Sequence, residues 1–311
     1  MRVWRTIEEV PTELGRTVVT VGNFDGVHLG HQQVIRRACD VAAERQVDTV
    51  VAVTFDPHPF AVLRPEHAPL ILTSIPDRIE LLDAAGANAV LVLPFDRHVA
   101  GWSPEEFIDR VLAGALHAAA VVVGANFRFG NKAAGDVSLL EEAGRSRDFT
   151  VEGVALDGGP QVWSSTYVRT CLAAGDVEGA AEALGRPLSV RGVVVEGDHR
   201  GRELGFPTAN LPTSEMAAVP ADGVYAGRLR RLDTDEVFPA AVSVGTNPTF
   251  DGTRERRVES YALDRTDLEL YGVEVEVAFV ARLRGMERFA GVDELIEQMG
   301  RDVQRTRELV S

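Results

Sequence analysis

The stretch TVVTVGNFDGVHLGHQQVIRRACD, residues 17–40, joins a β-branched run to an amphipathic helical pattern through a turn holding glycines, an aspartate and two histidines. If the helix begins near Leu29, His28 and His31 lie one turn apart at its positive end, where the first backbone N–H groups have no partner within the helix. Gly22 and Gly26 permit a tight turn, and Gly30 lets a ligand approach the backbone closely. Together the glycines, the free helical N–H groups and the two histidines read as a cradle for phosphate built without lysine. The alternatives are two turn histidines satisfied by their own loop, and for Asp25 a turn role alone.

Outward from this turn, residues 17 to 156 alternate β-branched runs (17–21, 48–55, 89–93, 119–124, 149–156) with helical patterns near 30–45, 75–86, 103–114 and 136–147. That alternation predicts βαβ units and a parallel sheet, and the nearly all-apolar strands require a cover on both faces. Such sheets bind ligands at the carboxyl ends of their strands. The histidine turn falls there, as do TFDPHP (54–59), with His58 between two prolines, and GANFRFG (124–130), with Asn126, Phe127 and Phe129. A further helical segment, 166–185, ends at Pro187, where the period changes. Short alternating segments follow until the last helical pattern, 292–309, so an antiparallel barrel or sandwich with one terminal helix is expected. The fold class is thus α/β, a Rossmann-like parallel sheet in residues 1–186 followed by an antiparallel β-barrel with a C-terminal helix in residues 187–311.

Composition narrows the partners. The formal charge is −15 and neither half is basic, which argues against nucleic acid, whose binding rests on neutralising phosphates. No apolar run is long enough to span a bilayer and the N-terminal residues do not resemble a signal peptide, so a cytoplasmic protein is expected. Cys39 and Cys171 stand apart, without zinc-ligand spacing, and read as core-filling thiols. Lys132 is the single lysine, flanked by Asn131 and Ala133, which excludes a Walker-A loop and the lysine of protein kinases. The Gly-x-Gly-x-x-Gly dinucleotide fingerprint is missing as well.

His-x-Gly-His after the first strand of an α/β domain resembles the signature of the nucleotidyltransferases, in which it cradles ATP phosphates. The fuller string GNFDGVHLGHQ, with TFDPHP, APLILTSIPDRIELL, GANFRFG and SSTYVR, is similar to the adenylyltransferase half of the bacterial bifunctional riboflavin kinase/FAD synthetases. GRELGFPTANL, DGVYAG, GTNPTF and VESYALD resemble the riboflavin kinase half of the same family, in the same order.

The resemblance implies two reactions: phosphorylation of riboflavin by ATP to FMN, then attack by the FMN phosphate on the α-phosphorus of ATP, giving FAD and pyrophosphate. It implies that His28 and His31 stabilise the phosphates, that Gly22, Asn23, Phe24, Asp25 and Gly30 belong to the same phosphate-binding turn, which Asn23 and Asp25 shape, and that the loop of His58 lies towards flavin and phosphate. Asn126 is placed to bond the flavin and Phe127 to stack on it, or Phe127 belongs to the core. Ser164, Ser165 and Thr166 form a hydroxyl cluster before a helix, with Arg169 one turn on, an arrangement that suits a phosphate or an ordinary cap. In the second half the resemblance assigns Gly205, Phe206, Pro207, Thr208, Asn210, Asn247 and Arg288 to nucleotide and flavin, and Glu259 to the catalytic base. Thr208 and Asn210 are oxygen donors suited to Mg²⁺ carried on ATP. Glu259, alternating with Val258 and Ser260, is expected at the barrel mouth, an exposed strand glutamate being the alternative. The 196–205 segment reads as a flap or a solvated hairpin. The roles of Arg128 and of Tyr167, where relatives often carry arginine, stay open. Small-molecule partners and possible self-association complete the expectation. Two other readings remain at this stage: an adenylyl- or cytidylyltransferase whose barrel only binds, and a flavin carrier.

Overall fold

The computed structural model describes residues 1–155, 163–197, 205–248 and 254–310, the side chains of 246–248 and 254–255 excepted. The chain forms two compact units, Met1–Ser164 and Ser165–Ser311.

The first unit is built on β1 (Arg2–Trp4), β2 (Thr17–Val21), β3 (Thr49–Asp56), β4 (Ala89–Pro94), β5 (Ala118–Gly124) and β6 (Thr150–Val154). All pair in parallel, in the order β1-β4-β3-β2-β5-β6. Every residue of β2 is buried, and successive side chains go to opposite faces: Val18 packs with Val34, Ala38 and Val41 of α1 (Leu29–Arg45), while Val19 and Val21 join a larger core on the other side. That larger core includes Phe107, Ile108 and Leu112 and, from the helix Val137–Arg147, Leu140. Helix α2 (Pro59–Leu63) is one short turn, and α3 (Ile75–Ala84) places Leu82 beside Ile35 of α1.

From β2 the chain steps through β3 to β4 on one side and returns to β5 and β6 on the other. The strand order therefore reverses between β2 and β5, which opens a crevice at their carboxyl ends.

The second unit starts with two helices, Ser165–Ala174 and Val177–Leu184, the latter capped by the Asp176 carboxylate accepting from the Gly179 N–H at 2.8 Å. Expected with the first half, they cluster with the second, because Val177, Ala180, Ala183 and Leu184 are buried and Val177–Leu184 contacts the barrel strands β7 (Leu188–Val193) and β12 (Glu274–Arg284). With β8 (Ala209–Pro212), β9 (Gly223–Arg231), β10 (Val237–Pro248) and β11 (Arg254–Ala262) these form one antiparallel sheet in the order β7-β12-β9-β10-β11-β8. A bridge between Val195 and Asn210 brings the two ends of the sheet together into a nearly closed barrel. Tyr225 and Phe279 meet edge to face inside it, ring centres 5.6 Å apart. The C-terminal helix Val292–Val310 packs on β9, β10 and β12, held by Arg284 bonding the buried Asp302 at 2.8 Å.

Candidate active sites

The turn after β2 is fixed from beneath. Phe24 and Val27 both adopt positive φ, 49° and 41°, values that aromatic and β-branched residues resist. Burial holds them there: both side chains sit in the core with Ile35, Leu82 and Val90. The carboxylate of Asp25 is also turned inward, accepting from the backbone N–H groups of Leu72 and Thr73 at 3.0 Å and pairing with Arg78 at 3.4 Å. Phe24 and Asp25, which the resemblance assigns to the phosphate-binding turn, therefore offer a ligand only their backbone. The energetic demand of burying a charged pair explains why so many bonds converge on Asp25.

His28 caps helix α1: its Nδ1 accepts the His31 N–H at 3.3 Å, which in the neutral ring leaves the proton on Nε2. The two imidazoles stack, centres 3.6 Å apart and 24° from parallel, and the edge of Phe24 meets His31 at 5.2 Å. Burial, then the charges of His28 and Arg78, push the His31 pKa well below the ordinary histidine value, so its ring is neutral near pH 7. Nδ1 of His31 is buried and meets no hydrogen-bond partner among the described residues. Gly30 lies against this pair: a Cβ there would sit 3.1 Å from Cε1 of His28 and 3.4 Å from the Trp163 carbonyl. Ser164 thus follows a residue that touches the histidine turn. Ser165, Thr166 and Arg169 lie on the first helix of the second unit.

The loop after β3 meets the same turn. His58 caps α2, accepting the Phe60 N–H on Nδ1 at 3.2 Å, while its Nε2 faces the Asn23 carboxamide at 3.4 Å. Beside them a cavity of about 700 Å³ is lined by Gly22 and Asn23, the aromatic rings of Phe55, Phe60, Phe95, Trp102, Phe127 and Phe129, and the cations Arg64, Arg128 and Lys132. Phe127 and Phe129 stack at 5.4 Å. Asn126 is exposed and, like His58, is not among the lining residues. The aromatic wall was not foreseen as a set; its members come from separate loops, with only the phenylalanines of GANFRFG flagged. A room of this size and polarity suits a planar aromatic ligand with a few polar groups.

In the second unit, the register sets Glu259 opposite Asn210 on β8 and Ser243 on β10. Val258 and Ser260, its neighbours, are buried opposite Val244 and Val242, which fill the barrel. Alternation therefore places partly buried Glu259 on the face of the sheet opposite to Val258 and Ser260, together with Asn210 and Ser243. Asn210 is buried; its Nδ2 donates to the Thr208 carbonyl at 3.3 Å. Gly197 lies on that carboxamide, for a Cβ there would be 2.6 Å from the Asn210 Cγ. The hydroxyl of Thr208 and the carboxamide oxygen of Asn210 are hard neutral donors of the kind Mg²⁺ accepts alongside phosphate and water. Among the described residues no cluster of three or more His, Cys, Asp or Glu is arranged to hold a metal by itself. Gly205 has φ +88°, and Phe206 meets Tyr261 edge to face at 5.4 Å, with Pro207 next to it. Arg288 is exposed, while Phe289 packs under Arg284 at 5.7 Å. The side chain of Asn247 and most of the 196–205 segment lie outside the described residues.

Comparison with known proteins agrees with both halves. Residues 10–166 match the FAD synthetase family and residues 184–310 the riboflavin kinase family. The chain is 36% identical to the bifunctional riboflavin kinase/FMN adenylyltransferase of Escherichia coli (strain K12), over 94% of this chain and 92% of that one. It is 34% identical to the Bacillus subtilis (strain 168) protein of the same name, over 95% and 93%. A Streptococcus pneumoniae crystal structure described as a macrolide-efflux protein shares the fold, with TM-score 0.88, 32% identity and 98% of each chain covered. No helix among the described residues is long and apolar enough to cross a membrane. With an FAD synthetase domain followed by a riboflavin kinase domain, and relatives matched over nearly their full length, the chain belongs to the bifunctional riboflavin kinase/FMN adenylyltransferases.

Proposed function

We propose that the adenylyl transfer of this family is carried out by residues 1–186, at the turn after β2, and the riboflavin phosphorylation by residues 187–311, around Glu259. The observation that carries the first assignment is the stacked pair His28 and His31 at the start of α1, with a buried imidazole nitrogen that meets no partner among the described residues, in a turn whose Gly22 and Asn23 line an aromatic cavity. FMN lies in that cavity with its ring against Phe127, and its phosphate reaches the Gly22–Asn23 end, where His58 faces Asn23, while Asn126, on the loop of Phe127, bonds the flavin. The triphosphate of ATP lies along the Gly30 backbone and the two imidazoles, with Ser164 as a further donor. No protein nucleophile is needed: the flavin phosphate attacks the α-phosphorus in line, and the residues hold the reactants and stabilise the charge on leaving pyrophosphate.

In the kinase half, Glu259 takes the proton of the riboflavin 5′-hydroxyl as it attacks the γ-phosphorus. Gly205 to Pro207, Asn247 and Arg288 bind nucleotide and flavin, and Thr208 and Asn210 would hold the Mg²⁺ carried on ATP, which would supply charge neutralisation to the phosphates. The protein works in the cytoplasm on ATP, riboflavin, FMN and FAD, without nucleic acid.

Chromatography of flavins after incubation with riboflavin, ATP and Mg²⁺ tests the division of labour. His28→Ala is expected to accumulate FMN, and Glu259→Ala to leave riboflavin unchanged yet convert added FMN to FAD. Equal loss of both activities in both variants contradicts the assignment.

A further inference from the structure

Arg78 of α3 is 2% exposed, a burial that arginine accepts only with partners for its charge and its donors. Nη2 pairs with the Asp25 carboxylate at 3.4 Å and donates to the Thr73 carbonyl at 3.2 Å. Nη1 donates to the Thr54 hydroxyl at 3.2 Å and to the Phe55 carbonyl at 3.5 Å. The Thr54 hydroxyl in turn donates to the Asn23 carbonyl at 2.9 Å, and the Thr73 hydroxyl accepts the Gly26 N–H at 3.0 Å. One guanidinium thus ties together the turn after β2, the end of β3 and the entry to α3, three segments separated in sequence. The planar fork of arginine can serve these directions at once, which a lysine ammonium cannot.

We propose that Arg78 is a positioning residue of the adenylyl-transfer site, a buried cation that fixes the histidine turn against the loop after β3 and places a permanent positive charge beside His31. The inference rests on the reading of His28 and His31 as the triphosphate cradle. The charged groups concerned are His28 on the helix of His31, Arg78 from α3, and Asp25 in the turn as the counter-ion of Arg78. Arg78 supplies its charge at every physiological pH. It also discourages a second positive charge on His31, so the imidazole stays neutral until a phosphate arrives to favour its protonation. Bonds and charge are separable: Arg78→Lys keeps the charge and loses the fork, whereas Arg78→Met loses both.

The test uses the full chain as Arg78→Lys, Arg78→Met and the double variant Asp25→Asn/Arg78→Met, which leaves no lone buried carboxylate. Rates of FAD formation from FMN and of FMN formation from riboflavin are measured, together with the titration of the His31 ring by NMR, assigned with His31→Gln. Both variants lacking the Arg78 charge are expected to lose about tenfold or more in kcat for FAD formation, with FMN formation unchanged. The His31 midpoint should rise in both. Arg78→Lys should keep the midpoint low and recover only part of the rate, since the charge stays and the fork is lost. An unmoved His31 midpoint in the charge-lacking variants, an unchanged FAD rate in the folded double variant, or equal behaviour of lysine and methionine overturns the proposal. If Arg78→Met does not fold, the double variant decides by the same criteria, and a risen midpoint in Arg78→Lys, which keeps the charge, overturns the proposal. Full FAD synthesis by His31→Gln would instead remove the cradle reading, whatever the Arg78 variants do.

Discussion

Glu259 on β11 and Asn210 on β8 are direct cross-strand partners in an antiparallel register, so the proposed base and the proposed metal ligand share one face of the sheet. The rigidity of the ladder sets their separation, and the third member of the row, Ser243, extends it to β10. A kinase site assembled this way depends on what presses the Asn210 carboxamide into place.

Gly197 does so by having no side chain. A methyl group there would meet the carboxamide at 2.6 Å from Cγ, and Asn210 is buried with little room to turn. Gly197→Ala is expected to lower kcat/KM for riboflavin phosphorylation by about tenfold to a hundredfold while FAD formation from added FMN is unaffected. Steady-state rates of the two half-reactions on one preparation give the comparison.

Gly30→Ala separates stability from activity. In the first turn of α1 alanine favours the helix by up to about 1 kcal/mol over glycine, but the added carbon presses on the His28 ring at 3.1 Å. The variant should melt no lower than the parent by more than a degree or two and form FAD about tenfold more slowly. A parallel fall in melting temperature and rate would count against a specific effect on the cradle.

The low pKa of His31 fixes the sign of two pH effects. Its folded value lies below the unfolded value of about 6.5, so the unfolded chain binds more protons between the two. The contribution of His31 to stability is therefore full above about pH 6.5 and is lost as pH falls towards the folded value, a slope that His31→Gln should flatten in melts between pH 5 and 7. A bound triphosphate favours the imidazolium, so binding of a non-hydrolysable ATP analogue should take up protons in this range, read by calorimetry in buffers of different ionisation enthalpy.

Phe127→Ala tests the aromatic cavity. Losing one face of the stack should raise the KM for FMN in FAD formation by about tenfold and leave the KM for riboflavin in the kinase reaction unchanged.

Much of this was legible in the sequence, where the determinant is local. The run 17–21 followed by a glycine turn and a 3.6-residue period specifies strand, turn and helix with little help from elsewhere. Reversal of period at Pro187 likewise marks the change to an antiparallel sheet. Legibility ends where a residue is defined by a distant partner. Asp25 looks like a turn carboxylate until Arg78 arrives from 53 positions away, and nothing nearby distinguishes Phe24 as a core ring within a polar string. The face on which Glu259 lies follows from which neighbours fill the barrel, and both Val258 and Ser260 do, although serine does not announce it. Helices Ser165–Ala174 and Val177–Leu184 follow the parallel sheet in the chain yet belong with the barrel, since apolar periodicity states that a face is buried and not against what.

Lys132 adjoins the aromatic cavity on an exposed backbone turn and carries the one side-chain amine of the chain. Acylating reagents consequently have a single lysine address, at the lip of the chamber. Mass-spectrometric footprinting at that address would follow occupancy of the chamber in real time, with no engineered label and no optical signal from the ligand.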